Sequence, residues 1–571
     1  MNPAKNFPLF LFFLILSFQT IAGRYVRYNY AGYEPERNKV LFILSDDNCI
    51  NTPWEIKDLS GSITLKGTIG KSISGSGDHS PKFFNHAIDF SELRKEGEYT
   101  FEIKGIEPFK IKITNDPYST HISEVLRFLK SQRCGSNDAI DHAYCHEGDK
   151  ECSIYRRNKG SNKDWIEDVS GKKVNMSGGW HDAGDYIKFT LTTSYTTYFL
   201  LRSYEAAPSL FAKKKTGGKD NADILDEAKW GLDYLMKCMP DTSEFIIQAG
   251  GWLDHEKGLR LPDTDVLDGK REAYSALSPT QMGYTAAALA LGAKIFSENG
   301  KSKEAKAYAD MAKKIFRVAI KNDKDNHCAW FEKDFQFYAD NSPNDNLALA
   351  AAELYILTKD EYFLEKANYY SEKAGAAYWA AWPSCNMIVH LRLLPYNNSL
   401  KRHVETDLEQ FYSISTEENN IWGMPHKYTW ATLYSAFLVA NAAKLYQKQT
   451  ESTKYNKIPY DVLDYTFGRN NWGVAMLASK NLPNSIRNVY SQVYKLQPNL
   501  FPTGAIAEGP GDKQTHSNLI KYFNISESDP YHRFNTKAVV FFDNNTDFQS
   551  METTITGLAD GIFMLSLAYG R

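Results

Sequence analysis

The hydrophobic period of this chain changes at one place, and the change constrains the fold more than any other feature. Before Asp116-Pro117 the apolar residues come in short strand-like runs. After it they recur every three to four residues. From Tyr25 to Tyr30 the pattern alternates, and from Val40 to Leu44 it is a continuous apolar strand. The stretch from Trp54 to Ile69 reads as two strands around Ser60-Gly61. Tyr99 to Ile103 and Phe109 to Ile113 read as a closing hairpin that turns at Gly105. Several short strands in about ninety residues predict a small β-sandwich. A proline blocks continuation and biases the residue before it, so Asp116-Pro117 is the expected boundary.

Beyond that boundary helices are expected. Leu225, Ala228, Leu232, Leu235 and Met239 fall on one helical face, and Pro240 ends the run. Pro279 opens an alanine-rich helix that runs to Phe296. Leu347 to Leu357 and Tyr362 to Tyr370 form a pair joined at Thr358-Lys359-Asp360. Further helices are expected from Trp430 to Tyr446, from Tyr460 to Phe467 and from Thr553 to Tyr569. The stretch from Phe189 to Tyr198 holds five threonines, which by propensity favours a strand. Long irregular loops separate some helix pairs, and such loops usually carry function.

The N-terminus reads as a secretory signal over residues 1–23: Lys5, an apolar run from Phe7 to Phe18, then small residues at Ala22 and Gly23. The mature protein is therefore expected outside the cytoplasm, extracellular or periplasmic, with no membrane partner once the signal is cleaved. An uncleaved N-terminal anchor is the alternative. The 66 basic and 69 acidic side chains nearly cancel, which gives no reason to expect nucleic acid as a partner. Seven cysteines is an odd number for a secreted chain, and Cys134, Cys145 and Cys152 are bunched. The chain is expected to act as a monomer.

The chemistry concentrates in Gly178 to Tyr186, which reads Gly-Gly-Trp-His-Asp-Ala-Gly-Asp-Tyr. Glycines allow a tight turn that brings Asp182 and Asp185 to a concave surface, and Trp180 offers a face on which a sugar ring can stack. For an isolated Asp-x-x-Asp, capping of the following helix is the simpler reading.

That stretch resembles glycoside hydrolase family 9. The likeness extends over most of the chain in order: Gln132-Arg133-Cys134-Gly135, Cys145-His146, Asn346-Leu347-Ala348, Gly468-Arg469-Asn470, and Gly504-Ala505 with Gly509-Pro510-Gly511. Tyr28 to Tyr33 is similar to the opening of the immunoglobulin-like module that precedes some catalytic domains of the family. The resemblance implies a mainly α fold, an (α/α)6 barrel over 117–571 behind an immunoglobulin-like β-sandwich over 24–116. It implies cleavage of β-1,4-glucans of the cellulose type with inversion. It also turns the Phe189 to Tyr198 stretch from strand to helix.

Inversion requires two carboxyls about 6.5–9.5 Å apart with a water between them, one ionised and one protonated. On the family pattern Asp185 is the base and Asp182 orients the water. The acid falls at Glu552, beyond Asp547-Phe548-Gln549-Ser550-Met551, where a surface glutamate at a helix start is the plain alternative. Cys134, Cys145, His146 and His181 stand where family members with this module often hold zinc. A disulfide among Cys134, Cys145 and Cys152 is the competing reading. Calcium is also common in the family, but no ligands for it can be chosen from the loop carboxylates. The family's substrate-gripping histidines are missing: the segment reads Asn484 to Gln492, in which Arg487 is left to bind sugar hydroxyls and Tyr490 to stack. That departure opens other readings: an oligosaccharide-trimming exo-hydrolase, action on another β-glycan such as glucosamine-type sugars, or a binding protein that has lost catalysis.

Overall fold

The computed structural model describes residues 23–157, 165–213, 223–322, 329–330, 336–340, 342–382, 384–526 and 528–569. Residues 1–22, nearly all of the expected signal sequence, and Cys328 lie outside the described residues.

Seven strands form the N-terminal sandwich: β1 (Arg24–Arg27), β2 (Val40–Ser45), β3 (Pro53–Lys57), β4 (Ile63–Thr68), β5 (Phe84–Asp89), β6 (Gly97–Ile103) and β7 (Ile106–Ile113). One sheet has the order β1-β2-β5 and the other β4-β3-β6-β7. Their inward residues, among them Leu41, Ile43, Ile56, Phe90 and Phe101, are fully buried and make one core. Alternating burial along β6 is what a half-buried strand requires.

Among the described residues, helices of eight residues or more number twelve. They are α1 (Ser119–Ser131), α2 (Thr190–Ala206), α3 (Ile224–Leu235), α4 (Pro279–Glu298), α5 (Ser302–Ala319), α6 (Asn344–Thr358), α7 (Glu361–Ala374), α8 (Asn386–Leu393), α9 (Lys401–Ser415), α10 (Thr432–Thr450), α11 (Lys457–Thr466) and α12 (Ile555–Tyr569). The even-numbered helices pack in a closed ring, α2-α4-α6-α8-α10-α12 and back to α2. The odd-numbered helices lie outside it, each against an inner helix. This is the (α/α)6 arrangement. It explains the sequence pattern: an inner helix is covered on all sides and is apolar all round, as in α4, where Met282 to Ala293 are all buried. The outer helix α5 keeps one buried stripe, Ala305, Tyr308, Ala312, Ile315, Phe316 and Ala319.

The Phe189 to Tyr198 stretch is helical, as α2. Its threonines are buried: the Thr197 hydroxyl returns to the Thr193 carbonyl at 2.7 Å, while the Thr190 and Thr192 hydroxyls reach out of the helix to the Ile246 carbonyl and the Asp182 carboxylate. The helix expected to run to Met239 stops at Leu235, and the Trp430 to Tyr446 helix runs instead from Thr432 to Thr450.

The sandwich is fastened to the barrel by buried charge. Asp464 of α11 receives the Arg37 guanidinium at 2.6 Å, Arg469 at 3.0 Å and the Asn29 amide at 2.8 Å. Gly468, at φ 117°, lies so close to Tyr30 that a Cβ would stand 2.4 Å from the ring.

Candidate active site

The central loop is shaped by its glycines and pinned from three sides. Gly178 and Gly179 adopt φ of 86° and 72°, the left-handed region that favours glycine. His181 N–H donates to the Gln132 carbonyl at 2.8 Å and Cys134 N–H to Gly179 at 2.9 Å, which ties the loop to the end of α1. Ile555 N–H donates to Asp182 at 3.0 Å, which ties it to α12. Gln492 N–H donates to Gly184 at 3.1 Å, from the segment that carries Tyr490. Neither aspartate caps α2: its N-cap is Phe189, with no side-chain bond.

Asp182 is 1% exposed, and its carboxylate accepts from the Thr192 and Tyr338 hydroxyls. Burial pushes its pKa up to about 7, against the pull of those two donors. Asp185 opens toward the cleft with its side chain 14% exposed. One oxygen meets His255 Nδ1 at 2.7 Å and the other accepts from Ile187 N–H at 3.3 Å.

Glu552 follows a short turn of helix, Phe548–Met551, that Asp547 caps by accepting from Ser550 N–H at 3.2 Å. It is not a helix-start surface residue. Its Oε1 accepts from Gly184 N–H at 3.2 Å, which sets the acid candidate directly over the loop of the base candidate. The approach demands glycine: a Cβ on Gly184 would stand 2.7 Å from the Tyr490 carbonyl oxygen and 3.2 Å from Glu552 Oε1. Burial first, then the charge of Asp185, push Glu552 up to about 8, while the Gly184 N–H and His255 work the other way. A carboxyl in that state carries its proton at neutral pH.

Tyr490 lies alongside. Its N–H donates to Met551 at 2.9 Å, and its half-buried ring packs edge-on against Phe548 with centroids 5.6 Å apart. Arg487 is exposed. Its backbone N–H donates to Asp543 at 3.1 Å, and no described bond joins its guanidinium to Asp182, Asp185 or Glu552. The expectation for Trp180 is corrected: it is 0% exposed, its indole donates to Glu227 at 3.3 Å, and it belongs to the core. Tyr186 is likewise buried, with its hydroxyl on the Arg260 carbonyl. Exposed rings come from elsewhere. Trp430, 40% exposed, stacks on Phe548 at 5.7 Å, and the half-buried Trp382 meets Tyr338 at 5.6 Å.

Three residues escaped sequence reasoning. His255 follows Gly250-Gly251-Trp252, a repeat of the Gly-Gly-Trp at Gly178, and that repeat was the available signal. Tyr338 gave none. Glu508 is 2% exposed, and its N–H donates to the Glu552 carbonyl at 3.2 Å. Burial, then the neighbouring Glu552, hold its carboxyl well above the usual range, with the Trp430 side chain as its hydrogen-bond partner. A lone charge in the small-residue run Gly504 to Gly511 was its signal.

Cys134, Cys145, His146 and His181 are all buried, with ligand atoms within 4.8 Å of one another. Cys134 and Cys145 are free thiols, and no disulfide joins the cysteines among the described residues. The separations are 3.3 Å from His181 Nε2 to His146 Nδ1, 3.5 Å from Cys134 Sγ to His146 Nδ1 and 3.7 Å from Cys145 Sγ to His181 Nε2. Zinc bonds of about 2.0–2.3 Å give tetrahedron edges of about 3.3–3.8 Å, so the donor set fits that ion. The other nitrogen of His146 meets Asp265 at 3.1 Å, the kind of outer carboxylate that orients a metal-binding imidazole. Asp254 and Asp265, which stand near His146, are engaged by Arg271 at 2.5 Å and Arg260 at 2.8 Å.

Comparison with known proteins places these features. The chain is 22% identical to Endoglucanase C of Cellulomonas fimi over 540 residues, 86% of this chain and 47% of that protein. It is 30% identical to the Cellodextrinase of Butyrivibrio fibrisolvens over 164 residues, 28% of each. The chain thus spans less than half the length of these relatives. A metagenome-derived glycoside hydrolase family 9 endoglucanase superposes with a TM-score of 0.77 at 20% identity, covering 96% of this chain and all of that one. A thermostable endoglucanase from Alicyclobacillus acidocaldarius gives 0.74 at 18% identity, also covering 96% of this chain and all of that one. The family profile "Cellulase N-terminal ig-like domain" matches residues 22–108. The profile of glycosyl hydrolase family 9 matches residues 118–565, which hold every carboxyl and thiol ligand described above, and the chain belongs to that family.

Proposed function

We propose that the protein is a secreted, inverting hydrolase of β-1,4-glucan linkages of the cellulose type, with Asp185 as general base and Glu552 as general acid. Asp182 serves as a second acceptor that orients the water. The observation that carries this reading is the opposed setting of two carboxyls, Asp185 on the Gly178 to Tyr186 loop and Glu552 on the segment packed over it. Asp185 accepts two N–H donors, from His255 and Ile187. Glu552 is pushed up to about 8 and holds its proton. Zinc on Cys134, Cys145, His146 and His181 would have a structural role, bracing His181 and with it the adjoining Asp182. The same retained carboxyls argue against a binding protein that has lost catalysis.

A second reading, trimming of oligosaccharides, is opened by the missing histidines in the segment Asn484 to Gln492, where the exposed Arg487 is left. The name of the Butyrivibrio relative points the same way. The test follows the anomer released from cellopentaose by proton NMR, with glucosamine oligomers as a parallel arm. The α-anomer is expected first. Release of the β-anomer, or turnover of the glucosamine oligomers alone, overturns the reading, while glucose released singly from one end selects the exo form.

A further inference from the structure

Glu508 is a buried carboxyl beside the site that the proposed reaction does not use. Glu508 N–H donates to the Glu552 carbonyl at 3.2 Å and Gly509 N–H to the Ser550 carbonyl at 3.1 Å, so the two segments run side by side. Leu433 N–H donates to the Glu508 carbonyl at 3.0 Å and ties it to the start of α10. The Tyr434 hydroxyl lies between the two segments, 2.7 Å from the Ile506 carbonyl and 3.4 Å from the Glu552 carbonyl. Glu508 is 2% exposed, and its Oε2 makes no hydrogen bond among the described residues. The Trp430 indole supplies the carboxyl with a donor.

The groups that face Glu508 are acids and phenols: Glu552, Asp182 on the central loop, Asp547 on the turn before Glu552, Tyr338, and Tyr434 of α10. Asp512, farther along its own segment, is occupied by Thr515 N–H at 2.8 Å. Glu552 itself faces Asp185, Asp182 and His255, with Tyr490 and Lys495 beyond them. The Gly184 N–H and His255 favour the charged form of Glu552, whereas Glu508 is buried among acids with an indole for a donor. Glu552 therefore ionises first, and Glu508 keeps its proton. The indole N–H is best served by the carbonyl oxygen of that acid, which leaves the O–H on an oxygen with no acceptor at rest. The reaction makes an acceptor beside it, because Glu552 becomes a carboxylate when it gives up its proton.

We propose that Glu508 is a positioning residue for the general acid: it stays protonated and turns its O–H to Glu552 as the leaving oxygen takes the Glu552 proton, so that the two carboxyls share the proton that remains. The inference rests on the reading of Glu552 as acid. In that step the electron pair of the broken C–O bond stays on the leaving oxygen, which gains the Glu552 proton. The Glu508 proton moves only between two carboxyl oxygens, and no further reactant is needed. A donor to the ionised form makes Glu552 a stronger acid. Removing it raises the pKa of Glu552, so the alkaline limb of the rate profile moves up while proton transfer to the leaving oxygen slows.

The decisive variants are Glu508→Met, which fills the space but donates nothing, and Glu508→Gln, whose amide accepts from the indole and donates to Glu552. Turnover of cellopentaose and of an aryl glycoside is followed from pH 4 to 10. The carboxyl infrared band is titrated in parallel, each protein against its Glu552→Gln form, which reads Glu552 without substrate. Glu508→Met is expected to move the alkaline limb and the infrared midpoint up by about one pH unit and to lower kcat on cellopentaose about tenfold, with KM changed less than about threefold. The aryl glycoside, whose leaving group needs no proton, should lose less than about threefold. Glu508→Gln should restore most of the shift and of the rate. A midpoint that stays in place in folded Glu508→Met overturns the proposal. So does one that moves down, the sign of an ionised Glu508 repelling Glu552, and so does a rise in KM alone, the sign of a mere anchor for Trp430. If Glu552→Gln abolishes cellopentaose turnover while Glu508→Met is silent, only the role of Glu508 falls. If Glu552→Gln turns over normally, the acid assignment itself falls.

Discussion

Replacing Glu552 with glutamine should remove turnover and, above pH 5, make the protein more stable. Glu552 is raised from an ordinary 4.5 to about 8. For a carboxyl shifted upward, the unfolded chain releases its proton earlier than the folded one. Below pH 4.5 both states hold the proton and there is no cost. From pH 4.5 to about 8, folding gives up about 1.4 kcal/mol per pH unit, and above that the cost is constant. At pH 7 the ceiling is therefore on the order of 3 kcal/mol. Glutamine does not titrate, keeps an oxygen for the Gly184 N–H, and escapes the cost. Unfolding entropy of about 2 cal/mol/K per residue over about 450 residues of barrel is about 1 kcal/mol/K, so the gain is about 3 °C in Tm at pH 7 and nil at pH 4.5. Differential scanning fluorimetry of both proteins from pH 4.5 to 8.5 reads this directly. Turnover of cellopentaose should fall by about 10²–10⁴-fold, the usual share of general acid catalysis, and fall less for an aryl glycoside whose leaving group needs no proton. Two outcomes refute the reasoning: melting curves that stay parallel across pH, or a variant that turns over both substrates at the wild-type rate.

Gly184→Ala is expected to lower kcat/KM about a hundredfold and Tm by a few degrees, because its Cβ would overlap the Tyr490 carbonyl and displace Glu552; steady-state kinetics on folded protein checks it. Cys145→Ser should lose about one equivalent of zinc by elemental analysis and melt earlier than wild type, and a metal-free wild type refutes the tetrahedral assignment. Asp464→Ala should cost about 3–5 kcal/mol, because it strands the buried Arg37 and Arg469, and should free the sandwich from the barrel; denaturant unfolding and limited proteolysis near residue 117 read both effects.

What the sequence made legible follows the kind of burial each element undergoes. β2, β3, β4, β6 and β7 could be read because their inward residues are mostly apolar. β5 could not: Asn85 and His86, on opposite faces of the strand, are both fully buried polar residues, and hydrophobic alternation does not register them. α4 and α12 announced themselves as apolar runs, but an all-round apolar helix carries no phase, so its ends drift. The outer helices α1 and α9, with their polar faces, gave no clear run at all. α2 is the instructive case, since threonine propensity argues for a strand and only the packing of a closed inner ring makes it a helix. The site divides in the same way. Asp182 and Asp185 sit in one contiguous motif, and Glu552 was found at a matching place in the family order. Trp180 was misplaced because a turn this tight points neighbouring side chains in different directions, and its indole turns inward to Glu227. His255, Tyr338 and Glu508 come from three separate segments joined only by the barrel, and the faint local signals at His255 and Glu508 do not tie them to the carboxyls. These are also the residues that set the electrostatics: Tyr338 donates to Asp182, His255 donates to Asp185, and Glu508 lies against Glu552. The Gly178 to Tyr186 motif pointed to a family from sequence alone, but the protonation states on which the proposed reaction rests depend on contacts that exist only once the ring of helices has closed.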